Sequence, residues 1–226
     1  MGAIADVVDR MREIDRELDP RDGVACFNRV YLRVTELVAA RLTEGFFEDG
    51  RFVERLDELF AGLYFANVAD GGADPSWRPL FQARDDHAVW SLQFVLAGIN
   101  AHVNHDLALA VVAACAERGV EPGTRPVHAD FLRVNELLAQ VEAQARGEVE
   151  PELLKFATKE AEALKHIVGS FSIARARDMA WCTVEALWPQ REIHRLYDTS
   201  VAILAQTVGL TGRLLVTPVI PASAFD

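Results

Sequence analysis

Apolar residues recur at three- and four-residue spacing along almost the whole chain, and this pattern constrains the fold more than any other feature. No run of strict apolar and polar alternation is long enough to predict a β-strand. The 226 residues are 50% hydrophobic, which is enough for one sizeable core. The sequence therefore predicts an all-α fold, a single compact multi-helix array of about eight or nine helices around a long central helix.

Glycine, proline and aspartate residues divide this pattern into segments. Helices are expected at 4–18, 22–43, 52–69, 77–84, 85–118, 128–146, 150–169, 171–188 and 190–209. Asp22 is expected to cap the second helix and Gly119 to end the longest one. The tail 213–226 holds two prolines and is expected to be extended. Because the connections are short, we expect one helical domain over 1–226.

Charge and composition exclude several classes of partner. The net charge is −11 with no basic run, which argues against binding to nucleic acid or to an anionic membrane surface. No stretch reaches the roughly 18 apolar residues of a membrane span, and the first residues lack the pattern of a signal peptide. We therefore expect a cytoplasmic protein. An exposed apolar helix face could support a homodimer. The arginine-rich, alanine-rich composition is typical of a GC-rich bacterial genome.

A cluster of polar residues interrupts the most apolar part of the longest helix. Its members are Asn100, His102, Asn104, His105 and Asp106. At about 100° per residue, His102 and Asp106 share one helix face, His105 lies beside them, and His87 falls on the same stripe further back. Asn100 and Asn104 form a second stripe, nearly opposite, together with Gln93.

Burying such groups without partners costs a few kcal/mol each, so the cluster is either a structural network or the wall of a cavity. In the first interpretation, an Asp–His pair pins neighbouring helices together. In the second, His102 is a general acid/base, Asp106 is its partner and His105 assists. Asn100, Asn104 and His87 would then position a substrate, and Gly98 would leave room for a close approach.

A second candidate group lies on a later, alanine-rich helix. Arg177, Trp181 and Asp178 are the side chains there that are expected to contact a small-molecule substrate. The alternative is a surface ion pair beside a core tryptophan. Glu162 and His166, four residues apart, could bind metal or form an ordinary helix pair. Nucleotide-binding loops and the serine-hydrolase motif are missing from the sequence.

Several stretches of the chain resemble DUF5995, a family of actinobacterial proteins of unknown function. The similar stretches are Asp22–Tyr31 with Val34 and Thr35, Phe60–Tyr64, Trp77 with Phe81, Gly98–Asp106, and Asp130 with Val134 and Asn135. Together they span most of residues 22–190. The resemblance implies a helical fold and a shared cluster at Asn100, His102 and Asp106, and it implies no activity.

The spacing His102-x-x-x-Asp106 is also similar to a helix motif of zinc-dependent phospholipase C enzymes, which are all-helical. His87 lies fifteen residues before His102, close to a ligand spacing in that group. Those enzymes use many more His and Asp ligands, whereas this chain has six histidines. The resemblance implies a possible zinc site at His102, Asp106 and His87.

Three functions follow from these observations. We favour an enzyme of bacterial small-molecule metabolism that performs acid/base chemistry without a cofactor. Its reaction would be a condensation or cyclisation, for example a Pictet–Spengler-type ring closure. The first alternative is a metal-dependent hydrolase that uses His102, Asp106 and others among His87, His105 and His166. The second is a helical scaffold or binding module without catalysis.

Overall fold

The structure, a computed structural model, describes residues 2–139 and 172–218, and every regular element in these ranges is a helix. The helices are α1 (Ala3–Glu17), α2 (Gly23–Thr43), α3 (Gly50–Asp70), α4 (Arg78–Ala83), α5 (Ser91–Ala101), α6 (Leu107–Arg118), α7 (127–139), α8 (Ile173–Leu187) and α9 (His194–Leu215). A π-helical turn, His102–Asp106, joins α5 to α6, and a 3₁₀ turn, Trp188–Gln190, follows α8. The all-α prediction is confirmed. The predicted helix 150–169 and the end of 128–146 lie outside the described residues.

Two predicted helix boundaries are confirmed by their capping geometry. The Asp22 side chain accepts the N–H of Val24 at 2.7 Å, which satisfies one free donor at the start of α2. Arg84 donates to the other oxygen of this carboxylate and joins α4 to α2. At the far end of the long helix, Gly119 adopts a left-handed conformation with φ 67° and terminates α6.

Two other boundaries were wrong. Residues 85–90 form turns, so the long helix begins at Ser91 and not at residue 85. Its start is fixed by Gln93, whose side-chain oxygen accepts the N–H of Trp90. At the other end of the chain, α9 continues to Leu215, past residue 213, where the extended tail was expected to begin. Most of that tail lies outside the described residues.

The continuous helix formed by α5, the π turn and α6 is central and separates two hydrophobic clusters. The first packs α1 to α5 around fully buried side chains such as Met11, Tyr64 and Trp77. The second packs α6, α7 and α8 around Val111 and Val184. Phe60 of α3 contacts both clusters. The π turn therefore lies where the two clusters meet.

The helix Ser91–Arg118 is long and apolar enough to cross a membrane by length and composition. Its most apolar window is 72% buried inside the protein, as expected for a core helix. By contrast, α9 carries an exposed apolar face of four side chains, namely Leu196, Ile203, Leu210 and Leu214. The expectation of a homodimer stays a prediction.

Two glycines mark close crossings around the central helix. A Cβ on Gly98 would overlap the ring of Phe27, so α2 crosses α5 where the side chain is missing. The close approach expected at Gly98 is thus made by a neighbouring helix. A Cβ on Gly209 would overlap the carbonyl of Pro75, which brings α9 onto the loop before α4. These crossings fix α2 and α9 on either side of the polar cluster.

Candidate active site

The polar cluster is built on a π turn rather than on regular α-helix. The N–H of Leu107 donates to the carbonyl of His102, five residues earlier, which is the hydrogen bond of a π-helix. Such single turns insert one residue into an α-helix and are frequent at functional sites. The turn directs three charged or titratable side chains inward: His102, His105 and Asp106 are 2%, 3% and 1% exposed.

Asp106 is the centre of this cluster because its carboxylate accepts three hydrogen bonds. Trp77 Nε1 donates to Oδ2 at 2.9 Å, and His102 Nδ1 lies 3.0 Å from the same oxygen, as the four-residue spacing predicts. His105 Nδ1 lies 2.8 Å from Oδ1. An ionised carboxylate only accepts hydrogen bonds, so both imidazoles carry their proton on Nδ1. Ser76 is a weaker neighbour, 3.4 Å from His105 Nδ1.

The other ring nitrogens of these histidines have no partner. Nε2 of His102 and Nε2 of His105 are both buried, and neither makes a hydrogen bond within the described part of the chain. Because Nδ1 of His102 holds the proton, its Nε2 carries a free lone pair. Leaving a buried acceptor unsatisfied costs about 1–3 kcal/mol, so such atoms call for an explanation. The site therefore offers two directed nitrogens to a water or a guest molecule.

The hydrogen bonds and burial set different charges on the three groups. Burial disfavours the carboxylate, but the hydrogen bonds from both histidines outweigh it and lower the pKa of Asp106. Burial lowers the pKa of His102 despite its bond to Asp106. Burial also opposes the charged form of His105, yet Asp106 raises the pKa of this histidine. At neutral pH, Asp106 is thus ionised and His102 is a neutral base.

Aromatic rings surround the imidazole of His102 and fix its plane. Phe60 stacks on it with 3.5 Å between centroids and 8° between planes, and Tyr31 meets it edge-on at 4.3 Å. Three further rings have centroids within 6.1 Å, those of Phe27, Tyr64 and Trp77. This packing holds Nε2 in one direction, as a proton-transferring atom requires.

Two polar residues of the site were not predicted as functional from the sequence. Tyr31 Oη is buried without a hydrogen-bond partner in the described residues, and so is Oδ2 of Asp57, although Asp57 as a whole is half-buried. Burial and then the charges of Asp57 and Asp106 raise the pKa of Tyr31. Burial also raises the pKa of Asp57 to about 7.

A sequence signal for Asp57 does exist. It lies four residues after Val53 and four before Ala61, both of which are buried on α3. A carboxylate between them interrupts the inward stripe of the helix, just as His102 interrupts that of the long helix.

The second polar stripe of the long helix holds another helix in place. Asn100 donates to the carbonyl of Val208 at 3.0 Å, and Asn104 donates to the Asn100 side chain at 3.2 Å. Gln93 donates to the carbonyls of Leu215 and Thr217 at the end of α9. The Asn100 amide thus holds α9 and Asn104 supports it, and the expected contact of these two residues with a substrate stays a prediction.

His87 was also placed wrongly. It lies in the turns before α5 and is exposed, so it shares no helix stripe with His102. His102, by contrast, is buried in the π turn that follows α5. The prediction that His87 and His102 act from one helix face is therefore wrong.

Arg177 and Trp181 connect α8 to α7. The Arg177 guanidinium donates to the Phe131 carbonyl at 2.6 Å, also bonds the Asn135 side chain, and lies 4.1 Å from the Phe131 ring centroid. Burial lowers the pKa of Arg177 to about 9. The Trp181 ring stacks on His128 at 4.3 Å. Their polar and aromatic surfaces are thus used between helices, and the expected substrate contact stays a prediction.

Asp178, the third expected contact on this helix, is exposed. Asp130, quoted for the family resemblance, is 1% exposed and accepts the N–H groups of Glu48 and Asp49 at 2.9 and 2.8 Å. It fixes the start of α3 and is a structural residue.

The profile of the DUF5995 family, described as a family of unknown function, matches residues 4–218. The chain belongs to this family. The resemblance seen in the sequence is thereby confirmed. The comparisons found no match among curated proteins and none among solved structures. The chemistry of this DUF5995 protein has to be inferred from its own site.

The zinc ligands implied by the second resemblance are not assembled in this DUF5995 protein. Among residues 2–139 and 172–218, no three His, Cys, Asp or Glu side chains are grouped so that they could hold a metal ion. His87 is exposed in the turns before α5, and both oxygens of Asp106 already accept hydrogen bonds. Glu162 and His166 lie outside the described residues.

Proposed function

We propose that this protein is an enzyme that transfers protons on a small-molecule substrate, with Nε2 of His102 as the proton-accepting atom. One observation carries the proposal. Asp106 fixes the proton of His102 on Nδ1, and the opposite nitrogen is left buried, directed and without a partner in the part of the chain that the structure describes. An imidazole oriented by a carboxylate is the arrangement of a general base, in which the carboxylate also stabilises the imidazolium that forms.

The neighbouring residues have supporting roles. Trp77 and His105 hold the Asp106 carboxylate from two further directions, so the base cannot turn away from its partner. His102 is neutral at physiological pH because burial lowers its pKa, which leaves it ready to accept a proton. His105 lies on the other oxygen of Asp106, and the carboxylate raises the pKa of this histidine against the effect of burial, so His105 is the group placed to return the proton.

The reaction class that suits these groups is condensation or ring closure. Such reactions need an acid that activates a carbonyl or imine and a base that removes a proton from carbon. A Pictet–Spengler-type closure combines both steps, and neither step needs a redox group. The aromatic surround of His102 favours an apolar or aromatic substrate.

A non-catalytic network is the competing interpretation, because Asp106 alone could pin α5, α6 and the loop before α4. The unpartnered Nε2 atoms of His102 and His105 favour a guest molecule over simple pinning. A network that only joined helices would be more stable with these atoms paired or replaced by carbon.

The experiment combines access and turnover. Diethyl pyrocarbonate acylates an accessible neutral imidazole, and mass spectrometry of the native protein shows whether His102 reacts. Carbon–hydrogen exchange of a panel of aldehydes and ketones in deuterated water, and condensation of tryptamine with acetaldehyde, are followed by proton NMR. His102→Asn keeps a donor towards Asp106 and removes Nε2. His194→Asn, at an exposed position, is the matched control.

We expect acylation of His102 and a rate that falls at least about 100-fold in His102→Asn, with no change in His194→Asn. The proposal is overturned if His102 in the folded protein resists the reagent, or if His102→Asn and wild type show equal rates. Binding of these compounds without any conversion supports a binding module instead.

A further inference from the structure

Three polar atoms without a partner among the described residues belong to elements that pack around the aromatic rings of the site. They belong to Tyr31 of α2, Asp57 of α3 and His102 of the π turn, and each is buried without a hydrogen bond to any described residue. The Tyr31 ring lies 4.3 Å from the His102 ring, and Asp57 lies one helical turn before Phe60 on α3, whose ring stacks on His102. Three separate elements thus direct unused polar groups into one region.

The chemistry of these atoms defines the guest. In its ionised form the Asp57 carboxylate accepts hydrogen bonds, and His102 Nε2 accepts because its proton is on Nδ1. Only the Tyr31 hydroxyl can also donate. A guest that satisfies all three must therefore bring at least two N–H or O–H donors on one atom or on neighbouring atoms. A carboxylate or phosphate guest would place its own acceptor oxygens against the acceptors of Asp57 and His102, and no hydrogen bond would form there.

The rings around the three atoms add a second selection. Phe60 and Tyr31 pack directly on His102, and the Tyr64 and Trp77 rings follow within about 6 Å of the same imidazole. The negative faces of aromatic rings attract cations, most strongly where water is excluded. The net charge of −11 also favours the approach of a cation.

We propose that this site binds an amine in its ammonium form, with the N–H groups directed at Asp57, Tyr31 and His102. The inference rests on the proposed function and supplies its substrate class, a primary amine that carries an aromatic or apolar group. Phe60 is only half-buried and would contact that group at the rim of the site.

Asp57 would then do more than attract the cation. Its Oδ2 atom is buried without a partner among the described residues, and burial raises the pKa of Asp57 to about 7, which brings its affinity for a proton closer to that of an amine. It can take one proton from the bound ammonium, which gives a neutral amine with a free lone pair and a neutral carboxyl group. That lone pair is the nucleophile of a condensation with a carbonyl compound. His102 remains free for the later removal of a proton from carbon.

Isothermal titration calorimetry of the full chain tests this with three compounds of nearly the same shape. Phenethylamine is cationic, phenethyl alcohol is neutral and phenylacetate is anionic. The variants are Asp57→Asn, which keeps the shape of the side chain, and Tyr31→Phe, which removes only the hydroxyl. Asp178→Asn, at an exposed aspartate of α8, is the matched control. Circular dichroism confirms that each variant is folded.

We expect phenethylamine to bind wild type and Asp178→Asn equally. Its affinity should fall at least about tenfold in Asp57→Asn, because a hydrogen bond to a charged group is lost. Tyr31→Phe should weaken phenethylamine binding about threefold to tenfold, because a hydrogen bond to a neutral hydroxyl is lost. The alcohol and phenylacetate should bind at least tenfold more weakly than the amine.

The inference is overturned if the amine does not bind, if Asp57→Asn binds it as wild type does, or if the alcohol or phenylacetate binds equally well. In each of these cases, the proposed proton transfer by His102 would still be decided separately, by the exchange and condensation assays with His102→Asn. Conversely, if the amine binds in an Asp57-dependent manner but no turnover is found, the proposal of an amine ligand stands and the proposal of an enzyme is wrong.

Discussion

The long helix carries two buried polar stripes, and they differ in how much of their hydrogen-bonding capacity is already used. Gln93 and Asn100 on one side are 0% and 2% exposed, and His102 and His105 on the other are 2% and 3% exposed. The amides donate to carbonyls of α9, whereas each imidazole engages Nδ1 and leaves Nε2 without a partner among residues 2–139 and 172–218. Burial is thus the same on both sides, and unused hydrogen-bonding capacity separates a structural stripe from a candidate active site.

The structural stripe completes the end of a neighbouring helix. The last carbonyls of any α-helix lack intrahelical donors, and Leu215 lies at the end of α9. The Gln93 amide donates to this carbonyl and to that of Thr217, and so supplies donors that the helix itself lacks. An amide suits this task because both of its hydrogens can be used at once. An imidazole cannot do the same, since its two nitrogens point in opposite directions.

The largest effect is expected from Asp106→Ala, which removes the centre of the candidate active site. Three N–H donors, from Trp77, His102 and His105, would lose their acceptor inside the core. We expect the free energy of unfolding to fall by about 3–5 kcal/mol, as when one partner of a buried charged pair is removed. Urea denaturation followed by circular dichroism measures this change.

Asp178→Ala is the matched control for that measurement, because this aspartate is exposed on α8 and should change stability by no more than about 0.5 kcal/mol. A loss below about 1 kcal/mol in Asp106→Ala would contradict the central role of this carboxylate.

A smaller loss of stability, without any loss of amine binding or turnover, is expected from Asn100→Ala in the structural stripe. The variant loses the hydrogen bond to Val208 and leaves Asn104 without its acceptor, which should cost about 1–2 kcal/mol of stability. Amine binding and turnover should remain as in wild type, since the Asn100 amide faces α9. Calorimetry with phenethylamine and the exchange assay check this. A tenfold loss of turnover in folded Asn100→Ala would erase the distinction between the two stripes.

Most of the fold could be predicted from the sequence because its signals are local. Apolar residues at helical spacing locate α1 to α4, and the Asp22 cap and Gly119 act within one turn of the chain. The start of α5 was missed because Asp85 and Asp86 resemble helix caps, while the actual start depends on Gln93 folding back to Trp90. The end of α9 was missed because the packing of Gly212 beside Pro79 is a long-range contact.

The candidate active site was predictable only in part. The pairing of His102 with Asp106 follows from a spacing of four residues, but a π turn leaves no mark in an apolar sequence. Asp57 looks like a surface residue because charged neighbours flank it on α3. Arg177 and Trp181 looked like ligand contacts, and their partners on α7 are brought close only by the tertiary fold. Which atoms remain unpaired depends on all neighbouring helices together.

The smallest effect separates the two histidines of the candidate active site by their protonation. Asp106 raises the pKa of His105, whereas burial lowers that of His102, relative to a usual value of about 6.5. Long-range proton–nitrogen correlation NMR should therefore show His105 still titrating above pH 6.5 and His102 neutral below it, with its proton on Nδ1. The stabilisation from His105 is full below the unfolded pKa and is lost as the pH rises through the higher folded value. For His102 the sign is reversed, since the unfolded chain takes up a proton first and stability falls as the pH drops below about 6.5. In Asp106→Asn, which removes the charge, the pKa of His105 should drop, and an unchanged value would show that the carboxylate does not control the charges at this site.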